Sequence, residues 1–319
     1  MSGGDNGFRM VSSHPSASEE DTTSDTHLFA VEEDDDVLDD SRSWPCLISM
    51  SGPDSGRTYI LDQREILIGR ADECDILIMD PTVSRQHARL YVISGEVELF
   101  DLESSNGITV NSVRVQRCNL RPEDVVRFGR NSTFRFAYVT KAEKDYLQKL
   151  FDSAVRDPLT GLYNRTYFTS VLERSLSLRR SRPSVLMMLD LDRFKVVNDS
   201  FGHPVGDQAL QHVATLLAQE SRGQDVAARY GGEEFMMLLH NVSLDGGLRV
   251  AERIRSTIEG APFLSSGHKI FMTLSIGIAG TQEAGGDSRK LIALVDKRLY
   301  AAKNQGRNQT CAMAVGERF

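Results

Sequence analysis

Hydrophobic and polar positions follow three different rhythms along the chain. Residues 45–139 carry short apolar or alternating runs at 46–50, 57–61, 65–68, 75–79, 88–93, 97–101, 125–128 and 133–139. Turn formers separate them, among them Ser51-Gly52-Pro53, Asp80-Pro81, Ser94-Gly95 and Asn106-Gly107. Many short strands between turn signals predict an all-β sandwich or barrel. Over residues 140–156 the period becomes helical, with Leu147, Leu150, Phe151 and Ala154 on one apolar stripe. So short a helix is unstable alone, and it is expected to pack on a domain or on its copy in a partner chain. Asp157-Pro158 ends it.

From residue 157 onward the two periods alternate. Helix is predicted at 166–180, a buried strand at 184–191 and helix at 207–219. Strands at 226–230 and 235–240 flank Gly231-Gly232; then come helix 248–259, strand 270–279 and helix 288–303. This is βαββαβ with a helix before and after it, which predicts a ferredoxin-like α/β sheet with helices on one face. Residues 1–44 are rich in Ser, Thr, Asp, Glu and Gly and lack periodicity. They cannot bury enough apolar surface to offset chain entropy and are expected to be disordered. The organisation is therefore a tail (1–44), a β domain (45–139), a linker helix (140–156) and an α/β domain (157–319).

Composition narrows the function classes. The formal net charge is -8 over 319 residues. Residues 19–40 hold eleven acidic side chains and no Lys or Arg, so the remainder is near neutral and slightly basic. No basic face for nucleic acid is indicated. There is neither a run of about 20 apolar residues nor a basic segment followed by an apolar one at the N-terminus. A cytoplasmic protein without a membrane partner is expected. Cys46, Cys74, Cys118 and Cys311 form no CxxC pair and are expected to be free thiols.

Chemistry concentrates in the last domain. The strand at 184–191 is apolar until Asp190-Leu191-Asp192, and its two acids fall on one face by period-two alternation. Glu233 and Glu234 follow the Gly231-Gly232 turn directly. In a ferredoxin-like sheet the central strand lies beside the hairpin, so Asp190 and Glu233 can converge. Converging carboxylates repel unless a cation neutralises them, and oxygen donors suit Mg²⁺ or Mn²⁺.

These residues stand in a recognisable order. Asp157-Pro158-Leu159-Thr160-Gly161-Leu162-Tyr163-Asn164-Arg165 resembles the DxLTGLxNR block of GGDEF domains. Asp190-Leu191-Asp192-Arg193-Phe194-Lys195, Asn198-Asp199, Gly202-His203 and Gly206-Asp207 resemble the blocks that follow it. Arg229-Tyr230-Gly231-Gly232-Glu233-Glu234-Phe235 is similar to the signature in its GGEEF form. Ser275-Ile276-Gly277-Ile278, Ala301-Ala302-Lys303 and Gly306-Arg307-Asn308 resemble the last blocks. The resemblance spans residues 157–312 and implies a bacterial diguanylate cyclase, joining two GTP into cyclic di-GMP with release of pyrophosphate. It implies that Asp190, Glu233 and the Leu191 carbonyl hold the metal, two ions per half-site. Asn198 and Asp207 would take the guanine edge. Lys195, Lys303, Arg307 and the backbone near Arg193 and Phe194 would take the phosphates, and Glu234 would orient or deprotonate the attacking 3′-hydroxyl. Each domain supplies half a site, so catalysis implies a homodimer. Arg222-Gly223-Gln224-Asp225, five residues before the signature, resembles the family's RxxD product-inhibition site, with Arg253 adding to it from a neighbouring surface.

The β domain carries a second resemblance. Ile68-Gly69-Arg70, Cys74-Asp75-Ile76, Val83-Ser84-Arg85-Gln86-His87-Ala88, Leu102-Glu103-Ser104-Ser105-Asn106-Gly107 and Val110-Asn111 resemble a forkhead-associated (FHA) domain. That implies a β-sandwich binding phosphothreonine peptides through Arg70 and Ser84, with Arg85, Ser105 and Asn106 beside the phosphate or peptide backbone. His87 is expected to be a buried structural histidine. A reader of phosphothreonine tethered to a tail with Thr22, Thr23 and Thr26 suggests self-docking of a phosphorylated tail, with Thr26 preferred because Phe29 follows it; the alternative is a tail that only solubilises and a domain that reads another protein. The competing readings are an adaptor that only senses nucleotide and a cyclase acting on one nucleotide. The intact Asp190, Glu233 and Glu234 favour the enzyme over the first, and Asn198, Asp207 and the GGEEF hairpin favour GTP condensation over the second.

Overall fold

Short alternating runs cannot bury both faces, so the N-terminal half folds as two sheets pressed together. The computed structural model describes residues 43–177, 183–265 and 267–313. Thr22, Thr23, Thr26 and the acidic run lie outside the described residues. Eleven strands form the first domain: β1 (Ser43–Ser49), β2 (Thr58–Ile60), β3 (Glu65–Gly69), β4 (Ile76–Leu77), β5 (Ala88–Ile93), β6 (Glu96–Asp101), β7 (Ile108–Val110), β8 (Val113–Val115), β9 (Arg117–Asn119), β10 (Val125–Phe128) and β11 (Ser132–Thr140). One sheet runs β2-β1-β11-β10-β7-β8 and the other β4-β3-β5-β6-β9. Leu47, Ile68, Leu90, Leu99, Ile108, Val126, Phe128 and Phe136 fill the space between them. Strands β7, β8 and β9 have no counterpart in the predicted runs. Each has three residues, too few to show a period, and β7 turns into β8 through Asn111 and Ser112, both at positive φ.

The linker helix α1 (Lys141–Val155) starts where β11 stops. Thr140 caps it, accepting from the Glu143 amide while the Glu143 carboxylate accepts from the Thr140 amide. The helix turns back along β11 and β2. Leu147 packs on Cys46, Ile48, Ala137 and Val139, and Phe151 and Val155 join the core of the second domain. The buried stripe is thus 147, 151 and 155. Leu150 and Ala154, expected on it, are exposed. The helix touches two domains in succession, so its inward line follows i, i+4 and i+8.

The second domain continues with α2 (Arg165–Ser177), β12 (Val185–Leu191), α3 (Phe194–Phe201), α4 (His203–Glu220), β13 (Val226–Arg229), β14 (Glu234–Leu239), α5 (Leu244–Gly260), β15 (Phe263–Ser265), β16 (His268–Ile270), β17 (Leu274–Gly280), α6 (Ser288–Asn304) and β18 (Thr310–Cys311). The sheet order β13-β14-β12-β17-β18 places β12 at its centre, antiparallel to both neighbours. Helices α4 and α5 cover one face, burying Leu210, Val213, Leu217, Ile254 and Ile258 against Met187, Leu189 and Met237. The expectation of helices on one face is corrected here, because α2 and α6 cover the other. Phe168, Leu172, Leu291, Val295 and Leu299 pack there against Leu186, Met188 and Met236. That is why β12 is apolar up to Asp190 rather than alternating: all seven of its residues are buried. The predicted strand at 270–279 is split. Its first residue closes the separate hairpin β15–β16, and β17 begins only at Leu274.

The two domains meet through polar contacts. Tyr167 on α2 donates to Asp54 in the β1–β2 turn at 2.8 Å. Arg174, also on α2, bonds the Met79 carbonyl and lies 3.5 Å from Ser132 Oγ. Ser132 in turn donates to Asp80 at 2.8 Å. At another point Asn241, just past β14, donates to Asp72 of the β3–β4 loop. No helix among the described residues is long and apolar enough to cross a membrane.

Candidate active site and ligand sites

The end of β12 and the start of β14 lie side by side, with Asp190 in register with Glu234. Asp190 is buried, and Lys303 in the last turn of α6 reaches it at 2.7 Å. Burial pushes the Asp190 carboxyl up, the Lys303 ammonium opposes this, and Asp192 adds to the rise. Glu233 is raised by burial first and by Asp190 next. The two carboxylates therefore feel one another, and one ammonium does not offset both. Two hard oxygen donors with surplus negative charge fit a divalent cation that takes its other ligands from carbonyl and phosphate oxygens. Among the described residues no group of three or more Asp, Glu, His or Cys gathers in such a way.

The surrounding backbone fixes these groups. Asp192 does not join the pair. Its carboxylate accepts from Ser275 Oγ at 2.7 Å, Thr273 Oγ1 at 2.8 Å and the Asn308 amide at 3.0 Å. It thereby pins the loop that carries Arg307, whose charge acts on Asp190. Glu234 folds back over Gly231, where an added Cβ would stand 2.5 Å from its Oε2. Arg229 at the end of β13 donates to the Gly232 carbonyl at 2.8 Å and to both oxygens of Asp157 at 3.3 Å. Asp157 also accepts the Thr160 amide and hydroxyl. These bonds outweigh its burial and hold its carboxyl below the usual range. The roles of Asp192, Asp157 and Arg229 in fastening the site were not read from sequence; Asp157 and Arg229 meet across 72 residues, and Asp192 meets Asn308 across 116.

Helices α3 and α4 frame a second group. Arg193 stands at positive φ as N-cap of α3, ahead of the buried Phe194. Gly206 on α4 lies against Asn198 and Phe194; any side chain there would collide with Asn198 Oδ1. The glycine lets the helices approach so that Asn198 sits beside the first turn of α4, where the exposed Asp207 begins. Lys195 is exposed on α3.

The RxxD segment closes on itself. Asp225 accepts the amides of Arg222 and His240, both at 3.0 Å. Arg253 on α5 pairs with Glu220 at 2.6 Å. These residues line a cavity of about 420 Å³ that also takes in Asn241 and Asp72.

In the first domain the expected phosphate-reading residues share one end of the sandwich. Arg70 and Arg85 are exposed, and the Arg70 amide donates to the Ser84 carbonyl at 3.1 Å. The Ser84 hydroxyl accepts from the Ser105 amide at 3.0 Å. Asn106 donates its amide to the Thr82 carbonyl at 2.8 Å, so that half of its side chain is committed to the loop. His87 is fully buried, accepting from the Ser84 amide at 2.9 Å and lying 3.2 Å from the Gly107 carbonyl. It is a structural histidine that braces the loops holding Ser84 and Gly107. The four cysteines are free thiols.

Comparison with known proteins follows these two halves. Residues 154–309 match the family described as diguanylate cyclase, GGDEF domain, and residues 66–129 the FHA domain family. The chain is 39% identical over 184 residues to the response regulator PleD of Caulobacter vibrioides, covering 55% of this chain and 40% of that protein. It is 36% identical over 166 residues to diguanylate cyclase A of Treponema denticola, covering 50% and 45% respectively. The chain thus spans less than half the length of these curated relatives. The coiled coil and GGDEF domain of DgcB from Caulobacter crescentus, solved in complex with c-di-GMP, superposes with a TM-score of 0.50 at 29% identity over 53% of this chain and 91% of that one.

Proposed function

With residues 154–309 belonging to the GGDEF family and residues 66–129 to the FHA family, we propose that the protein is a diguanylate cyclase whose output is set by a phosphopeptide-reading domain. The observation that carries this is the pairing of buried Asp190 with Glu233 beside Lys303. A divalent cation, Mg²⁺ or Mn²⁺, would be held by Asp190, Glu233 and the Leu191 carbonyl; when bound it neutralises phosphate charge and eases loss of the hydroxyl proton.

The chain's own groups do the rest. Asn198 and Asp207 accept and donate along the guanine edge, a pairing that adenine would leave unmet. Lys195, Lys303, Arg307 and the amides at the start of α3 hold the phosphates. Glu234 orients the 3′-hydroxyl and takes its proton. The 3′-oxygen of one GTP attacks the α-phosphorus of the other as the bond to pyrophosphate breaks, and a second, reciprocal transfer closes the ring. Each domain carries half of this machinery, so two copies face one another and the reacting atoms reach attack distance only in the dimer. Arg222 and Asp225, with Arg253, receive the cyclic product and inhibit. In the FHA domain Arg70, Ser84 and Arg85 take the phosphate of a phosphothreonine peptide, with Ser105 and Asn106 beside it. The peptide is the chain's own tail, phosphorylated at Thr22, Thr23 or, by preference, Thr26.

Incubating the full chain with GTP and Mg²⁺ and separating the nucleotides by chromatography tests the central claim. Cyclic di-GMP and pyrophosphate are expected; unconsumed GTP, or a product made from a single GTP, would reject it.

A further inference from the structure

The chain path brings the reading end of the FHA domain to the cyclase domain. Strand β11 runs away from that end, and α1 then returns along β11 and β2. The second domain therefore begins where the β1–β2, β3–β4 and β4–β5 connections lie. Arg174 meets Met79 there, Tyr167 meets Asp54, and Asn241 meets Asp72. Asp72 stands two residues from Arg70. Its loop is fastened to the neighbouring reading loop, since the Ala71 amide donates to the Arg85 carbonyl at 3.0 Å and Cys74 Sγ to the same oxygen at 3.2 Å. Arg85 is further linked to Glu73, with a separation of 3.8 Å. The two loops that carry Arg70 and Arg85 thus form one braced unit, which touches the second domain at Asp72 from the first loop and at Met79 from the second.

The Asp72 contact lies on the wall of the cavity formed by Arg222, Asp225, Glu220, Arg253 and Asn241. Its volume of about 420 Å³ suits a nucleotide-sized ligand. Two arginines make it a place for phosphate, but Glu220 already engages Arg253 and Asp225 is spent on two backbone amides. Asp72 adds a further carboxylate from the other domain. We infer that Asp72 is an electrostatic gate contributed by the FHA domain to the dinucleotide cavity: docked on Asn241, it opposes entry of a ligand with two phosphodiesters. The inference rests on the reading of Arg222 and Asp225 as the product site. Filling the cavity and holding the reading loop against the end of β14 are then opposed. Because coupling between two sites is reciprocal, whatever moves the Arg70 loop changes the affinity for the cyclic dinucleotide.

Isothermal titration of the full-length protein with cyclic di-GMP tests this, using Asp72→Asn, Arg222→Ala and Asp62→Asn. Asparagine keeps an oxygen that can accept from Asn241 and removes only the charge. Asp62 is an exposed acid in the connection before β3, at the opposite end of that strand from Asp72, and controls for net charge. Asp72→Asn is expected to bind about fivefold more tightly than wild type at low salt, with the gain shrinking as ionic strength rises; Asp62→Asn is expected to match wild type. Arg222→Ala is expected to lose binding by tenfold or more. Unchanged affinity in Asp72→Asn together with loss in Arg222→Ala would overturn the gate and leave the product site standing. An equal gain in Asp62→Asn would also overturn it, since the effect would then be one of overall charge. Unchanged affinity in Arg222→Ala would remove the product-site reading, and the gate with it.

Discussion

The guanidinium of Arg229 bonds both carboxylate oxygens of Asp157 at 3.3 Å while holding the Gly232 carbonyl at 2.8 Å. One side chain thus ties the turn that opens the cyclase domain to the hairpin that presents Glu233 and Glu234. Arg229→Lys keeps the charge but cannot span two partners in a plane. We expect its turnover to fall at least tenfold while its chemical stability falls by only about 1–2 kcal/mol. Steady-state turnover together with a urea melt checks this; wild-type turnover in the variant would show that the hairpin is placed by other contacts.

Glu233→Gln removes one of two mutually repelling carboxylates. Product formation is expected to cease at saturating Mg²⁺, and the melting temperature without metal is expected to stay the same or rise. Losing activity and stability together would mean that Glu233 serves the fold instead of the chemistry.

His87 gives the FHA domain a pH dependence of known sign. Burial pushes its imidazole below the ordinary value, outweighing the Gly107 carbonyl and the Asp101 and Asp80 carboxylates, which raise it. The unfolded chain therefore binds the proton more readily. Stability from this group is full above the ordinary histidine pKa of about 6.5 and is lost as pH falls below it, by up to about 1.4 kcal/mol per pH unit. Trp44, the chain's single tryptophan, lies in β1 and reports this domain. Denaturation followed by its fluorescence at pH 7.5 and 5.5 should show a larger acid loss in wild type than in His87→Gln. Equal losses would assign the pH dependence elsewhere.

For the tail, a chain starting at Ser43 should bind a synthetic peptide phosphorylated at the position of Thr26, and Arg70→Ala should abolish binding. If peptides phosphorylated at Thr22, Thr23 and Thr26 all fail to bind, or if binding survives in Arg70→Ala, the domain reads some other protein.

How far the sequence reached depended on how local each signal was. The apolar run ending in Asp190 and the two glycines before Glu233 are written within a few residues, and both elements stand where their patterns put them. The blocks around Arg70, Ser84 and Asn106 are equally short, and the structure brings them to one end of the sandwich. What escaped depended on distant partners. Nothing near Asp192 in the chain marks Asn308 as its partner, and Asp72 is an ordinary loop acid until Asn241 is beside it. The stripe on α1 misled because Leu150 fits an isolated helix with one neighbour, whereas this helix leaves one core for another and buries Val155 instead.

Helix α1 makes the orientation of the cyclase domain a function of a residue count. It has 15 residues, seated at Leu147 on one core and at Phe151 and Val155 on the other. Each residue inserted between those seats would advance the following domain by about 1.5 Å and rotate it by about 100°. Length variants of this helix would therefore act as a dial: single insertions turn the domain well away from its present heading, and four-residue insertions bring it back to within about 40° of that heading at a greater separation.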